Sequence, residues 1–359
     1  MGKCTICMKK SPLISDFLGL CLECIRKNPE QAISISKEAH ALSRGGFGLV
    51  PDIPEGGIVK CRFCGNECEI HEGSKGFCGL VGNEKSRIQR DKELIATYYY
   101  DPHPTNCVSE WACPASGLSY PKYSMREGTE YGFHNLAVFC IGCSSDCLFC
   151  QNWHFREEVA ARPKVTDERF LNAINEKTTC VCFFGGDPTP QLDKITRICT
   201  KAQGKNRILR FCLETNGNAN PGILENFAKL GLRSGGNIKF DLKFWNETLN
   251  KAITGISNKK VHENFERMGE FYRQRKDLPF LTASTLMVPG YVDEQEIKGI
   301  AGFIASVDEE IPYSLLGFFP HFDMQDLPLT RRDDALRFQK TAKEAGLKNV
   351  RIGNAHLLS

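Results

Sequence analysis

Residues 135–153 read NLAVFCIGCSSDCLFCQNW. An apolar run of strand length ends at Gly142, and Cys143, Cys147 and Cys150 follow at once in a C-x3-C-x2-C spacing. A short apolar run rich in β-branched and aromatic residues and stopped by glycine reads as a buried strand. Thiols placed directly behind a strand are in position to hold a metal.

The same kind of run recurs downstream, as CVCFFGG (180–186), RILRFCLET (207–215), NIKFDLKF (237–244), LTASTLMVPG (281–290) and YSLLGFFPH (313–321). Between them lie helical stretches such as DERFLNAINEK, GILENFAKLG, ENFERMGEFYRQR and EQEIKGIAGFIASV. Strands alternating with helices predict consecutive parallel βα units. Six strands are too few to close an eightfold barrel. The expected fold is therefore α/β, an open partial (β/α)6 barrel of the TIM type over residues 134–359. LTRRDDALRFQKTAKEAG (329–346) reads as a closing helix, with Thr330 as its N-cap and Gly346 as its stop. In such a barrel the loops after the strands form the face on which active sites are built, so the cysteine triplet sits where chemistry is expected.

Composition narrows the classes. Of 359 residues, 25% are charged and 41% hydrophobic, with a net charge of +3 spread through interleaved acids and bases. That balance gives no basic patch for nucleic acid. No apolar run reaches the ~18–20 residues of a membrane span, and the start MGKCTICMKK lacks the apolar core of a signal peptide. A cytoplasmic protein is expected. Eighteen cysteines in a reducing compartment predict metal or cluster ligation rather than disulfides.

Those cysteines crowd into the first 150 residues. Cys4, Cys7, Cys21 and Cys24 form two C-x2-C knuckles, the spacing of a zinc ribbon. Cys61, Cys64, Cys68 and Cys78 form a second group, suited to zinc or to an auxiliary Fe–S cluster. PEQAISISKEAHAL (29–42) has helical spacing, and VPDIPEGG (50–57) reads as a linker. The divisions expected are 1–57, a ribbon-like module with a helix, 58–133, a second cysteine-rich module, and 134–359, the barrel. Cys107 and Cys113, flanking Trp111, read as packed thiols or as extra cluster ligands. Cys140, Cys180, Cys182, Cys199 and Cys212 read as buried core thiols, and the Tyr98–Tyr100 run reads as a strand.

Three thiolates cannot close a tetrahedral zinc site, but they can hold three corners of a 4Fe–4S cube and leave the fourth iron open. Phe149, before the last cysteine, suits shielding such a cluster. The triplet after a first strand resembles that of the radical S-adenosylmethionine (SAM) superfamily. FFGGDPTPQ, LETNGN, FDLK, LMVPGYVDEQEI and AGLKNVRIGN resemble, in order, later elements of its pyruvate formate-lyase activating enzyme-like members. CRFCGNECEIHEGSKGFCGLV (61–81) is similar to the front motif of the AmmeMemoRadiSam-like branch.

The resemblance implies that Gly185, Gly186 and Asp187 meet the methionine amine of SAM. It places Glu214, Thr215 and Asn216 at its carboxylate or ribose, Asp241 and Lys243 on the fourth strand beside it, and Val288 next to the adenine. It also implies a 4Fe–4S cluster that splits SAM with one electron from a donor such as ferredoxin or flavodoxin. The resulting 5′-deoxyadenosyl radical would take hydrogen from a residue of a protein or peptide. Activating enzymes with extra clusters carry their additional cysteines after the triplet, whereas here they precede it. Two alternatives stay open: cobalamin-dependent C-methylation of a protein residue, and a zinc-ribbon binding protein without catalysis. DPHPTN (101–106) is only faintly similar to a cobalamin signature, with Asn106 where glycine stands in that signature.

Overall fold

The computed structural model describes residues 1–105, 107–275 and 277–359. Asn106, on which the cobalamin comparison turns, lies outside the described residues. The six expected strands are β1 (His134–Cys140), β2 (Thr178–Gly185), β3 (Arg210–Thr215), β4 (Ile238–Asp241), β5 (Leu281–Met287) and β6 (Tyr313–Gly317), and they pair in parallel in chain order. A seventh parallel strand, β7 (Val350–Gly353), adds beside β6. It is short, polar at Arg351 and only partly buried, and its few apolar residues do not stand out in the sequence. At the far edge Leu94–Pro102 pairs antiparallel with β1, and the two-residue strand Lys164–Val165 lies beyond it. The Tyr98–Tyr100 run is therefore in a strand, as expected. The two outer strands are not paired with each other, so the barrel is open.

Strands and helices bury one common core. Leu136, Val138, Val181, Phe183, Phe211, Leu213 and Phe240 point under the helices Leu192–Ala202, Pro221–Ser234 and Lys259–Tyr272 and are essentially inaccessible to water. Each such side chain contributes roughly 1.5–3 kcal/mol of burial. Helix starts follow local chemistry: the Asn220 side chain accepts from Ile223 N, and Asp293 accepts from Glu296 N. Thr330 departs from expectation. Its hydroxyl donates to Met287 O at 2.8 Å and accepts from Phe318 N at 2.8 Å, tying β5 to the chain leaving β6. Arg331 instead takes the N-cap position of the helix Arg332–Glu344.

The front of the chain is clamped to the barrel. Tyr291, just after β5, donates its hydroxyl to Leu20 O at 2.9 Å and accepts from Ser15 N at 3.0 Å. Arg26 forks onto Asp293 at 2.6 and 2.8 Å and reaches Glu296 at 2.7 Å. Gly290 has φ +81°, and a Cβ there would lie 2.1 Å from Leu13 O, so only glycine lets the two segments meet. Among the described residues no helix is long and apolar enough to cross a membrane.

Candidate active site

The loops after the parallel strands enclose a cavity of about 450 Å³, within the roughly 300–1,000 Å³ of small-molecule sites. Cys143, Cys147, Cys150 and Phe149 line it from the loop after β1, Gly185, Gly186 and Asp187 from the end of β2, Glu214 and Asn216 from β3, and Asp241 and Lys243 from β4. Fold and sequence thus converge on one place. Val288 does not reach it. Its side chain is fully buried in the core, and β5 presents Ser284 and Leu286 to the cavity instead.

Other parts of the chain hold the cysteine loop in shape. Asp146 N donates to Thr254 O at 2.8 Å, and Leu148 N donates to Ile253 O at 3.0 Å. The buried Asp146 carboxylate takes His40 at 2.8 Å, Arg156 at 2.9 Å and Arg44 at 3.5 Å. Burial alone would raise its pKa, but the His40 hydrogen bond and the two guanidinium charges hold it at about 2. His40 and Arg44 belong to the helix Pro29–Gly45, so the front module braces the loop directly.

The donor set fits an iron–sulfur cluster. Burial pushes the Cys147 thiol up to about 12 and Cys143 well above its ordinary value, so these sulfurs become thiolates only when a positive metal core compensates. Hydrogen bonds of the kind that support ligand sulfur are already present. Ser145 N lies 3.3 Å and Asn216 Nδ2 3.6 Å from Cys143 Sγ. Arg156 lines the cavity with Nε and Nη1 buried and without hydrogen-bond partners. Desolvation opposes its charge, but Cys150 and Asp146 keep the guanidinium protonated, and an anionic cluster would satisfy it further.

The Gly-Gly-Asp turn is shaped by close approach. Gly185 has φ +112°, and a Cβ there would meet Cys140 N at 2.7 Å; one on Gly186 would meet Gly142 O at 2.4 Å. Asp187 is spent on the neighbouring loop, accepting from Asn216 N at 2.6 Å, Thr189 N at 2.8 Å and the Thr215 hydroxyl at 3.2 Å. It pins the turn after β2 to the turn after β3.

The cavity floor is charged. Lys239 Nζ donates to Glu214 at 2.8 Å and lies 3.2 Å from Asp241, which also takes Lys243 at 3.3 Å and the Ser284 hydroxyl at 2.6 Å. Burial would raise Asp241, but Lys239 and Lys243 hold it far below the usual carboxylate range. Burial would lower both ammonium groups, and the facing carboxylates keep them charged. Sequence reading singled out Asp241 and Lys243 but missed Lys239. The period-2 alternation that puts 241 and 243 in register puts 239 on the same face. Arg156, on the helix Phe155–Ala161, carried no such signal.

The front cysteines divide into two kinds. Among the described residues, Cys4, Cys7, Cys21 and Cys24 form a group whose ligand atoms all lie within 4.8 Å of one another, with Cys7 and Cys21 sulfurs 3.8 Å apart. Tetrahedral zinc with Zn–S near 2.3 Å needs sulfurs about 3.8 Å apart. Cys61, Cys64, Cys68 and Cys78 are all buried, and all but Cys64 pack in an apolar cluster with Phe77 and Leu80, against which Cys143 and Cys150 also pack. Their sulfurs do not form a group that compact.

A partial barrel with a three-thiol loop, a glycine cradle and a charged floor at its strand ends defines an iron–sulfur enzyme class. Residues 138–304 match the family model described as Radical SAM superfamily. That stretch is similar to the superfamily, and the match implies SAM and an iron–sulfur cluster as the groups for radical chemistry. It is similar to two Methanocaldococcus jannaschii proteins named as glycyl-radical enzyme activating enzymes. One is 28% identical, covering 59% of this chain and 77% of the relative; the other is 23% identical, covering 64% and 89%. Among solved structures it is similar to Streptococcus suis SuiB bound to precursor peptide SuiA, with 16% identity, TM-score 0.47 and coverage of 60% of this chain and 47% of that one. A domain of pyruvate-formate lyase-activating enzyme from Bacteroides vulgatus gives 21% identity, TM-score 0.39 and coverage of 48% and 98%.

Proposed function

We propose that Cys143, Cys147 and Cys150 hold a 4Fe–4S cluster with one open iron, and that the enzyme abstracts hydrogen from a residue of a protein or peptide. The observation that carries the cluster and SAM reading is the convergence of three thiols, the glycine cradle and the charged floor on one cavity. The protein substrate rests on similarity to proteins named as activating enzymes. When bound, cluster and SAM supply a 5′-deoxyadenosyl radical by one-electron cleavage.

The chain's own tasks are positioning and exclusion of water. Gly185 and Gly186 let the methionine end approach backbone, and Asp187 fixes the turn that receives it. Asn216 orders the cysteine loop by donating to the Ser145 hydroxyl at 2.9 Å and the Ser144 hydroxyl at 3.0 Å. Lys239 and Lys243 offer positive charge to the SAM carboxylate. Zinc at Cys4, Cys7, Cys21 and Cys24 fixes the ribbon that clamps the loop after β5. Cys61, Cys64, Cys68 and Cys78 suit zinc or an auxiliary cluster beside the first.

The test is anaerobic incubation of reconstituted enzyme with SAM, dithionite and cell extract. 5′-Deoxyadenosine without S-adenosylhomocysteine, together with a mass change or radical signal on a protein, is expected. Turnover on a small metabolite alone defeats the protein substrate. Equal formation of both nucleosides moves the reading to methylation.

A further inference from the structure

A second cavity of about 220 Å³ lies inside the barrel and shares Phe184 and Glu214 with the first. Its wall carries five thiols, Cys107, Cys113, Cys180, Cys182 and Cys212, together with His103. Barrel interiors are ordinarily filled by Val, Ile and Leu. Here β1 offers Asn135 and Ala137 to the same space, so small and polar side chains hold the lumen open.

The register explains how the thiols gather. Cys182 lies directly opposite Cys212 across the β2–β3 ladder. Cys180 is two residues earlier on the same face of β2, about 7 Å along the strand. Cys107 and Cys113 come from the segment that closes the lumen from the other side. The Cys107 thiol donates to Glu214 at 3.2 Å, and the Cys180 thiol to Asn135 at 3.3 Å. Two polar groups of this wall are left over. His103 Nδ1 and Asn237 Nδ2 are buried with no hydrogen-bond partner, on residues 4% exposed.

We infer that this cavity is a further iron–sulfur site, held by thiolates drawn from Cys180, Cys182, Cys212, Cys107 and Cys113. Soft thiolates select iron–sulfur clusters, zinc or Cu(I). A single ion needs sulfurs in near contact, as in the ribbon, and these thiols do not form such a group among the described residues. They surround a space instead, which calls for a multinuclear core. His103 is available as a nitrogen ligand, a substitution known for such clusters. The site would place a one-electron couple beside the cavity where SAM binds. It holds whichever substrate the enzyme takes.

Two measurements test it. Diffraction at the iron absorption edge from anaerobic crystals of the reconstituted full chain should give an anomalous peak between Cys180, Cys182 and Cys212 as well as one at Cys143, Cys147 and Cys150. No iron peak in the lumen, or a zinc-edge signal there, overturns the lumen site and leaves the triplet. Iron at neither overturns both. In parallel, C182S and C212S should each lose one cluster's worth of iron and sulfide while keeping the electron paramagnetic resonance signal that SAM perturbs at the triplet. C199S, in the helix behind β2, should lose none. Unchanged iron and sulfide in folded C182S and C212S also overturns the assignment.

Discussion

The ribbon at Cys4–Cys24 and the loop at Cys143–Cys150 both pack several thiols into a short stretch, yet they are built in opposite ways. The ribbon's four sulfurs converge on a point, and the two knuckles supply everything the site needs. The loop's three sulfurs open onto a cavity and depend on remote groups: His40 and Arg44 from the front helix, Arg156 from the next one, and Asn216 from β3. Closure suits a structural ion, and an open position suits chemistry. The difference lies in the surroundings of the sulfurs, not in their number.

The sharpest way to break that contrast is a pair of substitutions. Cys147→Ala should bring 5′-deoxyadenosine formation below detection, while Cys7→Ala should leave it within about tenfold of wild type, because the ribbon acts only through the β5 loop. Equal losses measured by anaerobic chromatography would erase the distinction.

Asp146→Asn comes next. It removes the charge that pairs Arg156, Arg44 and His40, and losing one partner of a buried ion pair costs about 3–5 kcal/mol. Denaturant unfolding should show it, and an effect below about 1 kcal/mol would mean that the front helix does not brace the loop.

Gly290→Ala probes the seam between the two regions. With φ +81° and Leu13 O 2.1 Å from the added Cβ, it should cost about 1–3 kcal/mol and loosen the ribbon. Limited proteolysis near residue 13 is the readout, and an unchanged pattern would show that the clamp is not tight.

The smallest effect is a pH dependence away from both sites. Burial would raise the Glu130 carboxyl, but hydrogen bonds and charge from Arg210, at 2.7 and 2.8 Å, lower it from 4.5 to about 2. The unfolded chain then binds the proton more readily, so this contribution is complete above pH 4.5 and fades as pH falls towards 2. The slope should approach 1.4 kcal/mol per pH unit at most, at about one proton. Glu130→Gln should flatten that part of the stability curve, and an unchanged slope would place the acid sensitivity elsewhere.

How much could be read in advance depended on how local each cause is. Six strands were legible because each is an apolar or alternating run of strand length, and the helix Glu294–Val307 coincides with the stretch read from its pattern. β7 was not, being four residues with only two apolar side chains and a charged one between them. Thr330 was read as a cap from its place before a helix, but the hydroxyl serves two strand ends that lie far off in sequence. Val288 was placed at the cavity by its motif, but it lies just past the end of β5, where the chain leaves the strand's alternation and the side chain packs in the core. Cys180, Cys182 and Cys212 are buried as read, but apolar neighbours in sequence hid that their face of the strands lines the lumen.

From its order of residues alone this chain determined the parallel βα repeat, the triplet after the first strand and the ribbon knuckles. Periodicity and ligand spacing are properties of neighbours along the chain. Only the tertiary structure decided that Arg156, Lys239 and Asn216 serve one cavity, and that five scattered thiols face another. Those meetings depend on strand register and on which helix lies across which loop, and the free energy that sets both comes from burying surfaces drawn from the whole chain.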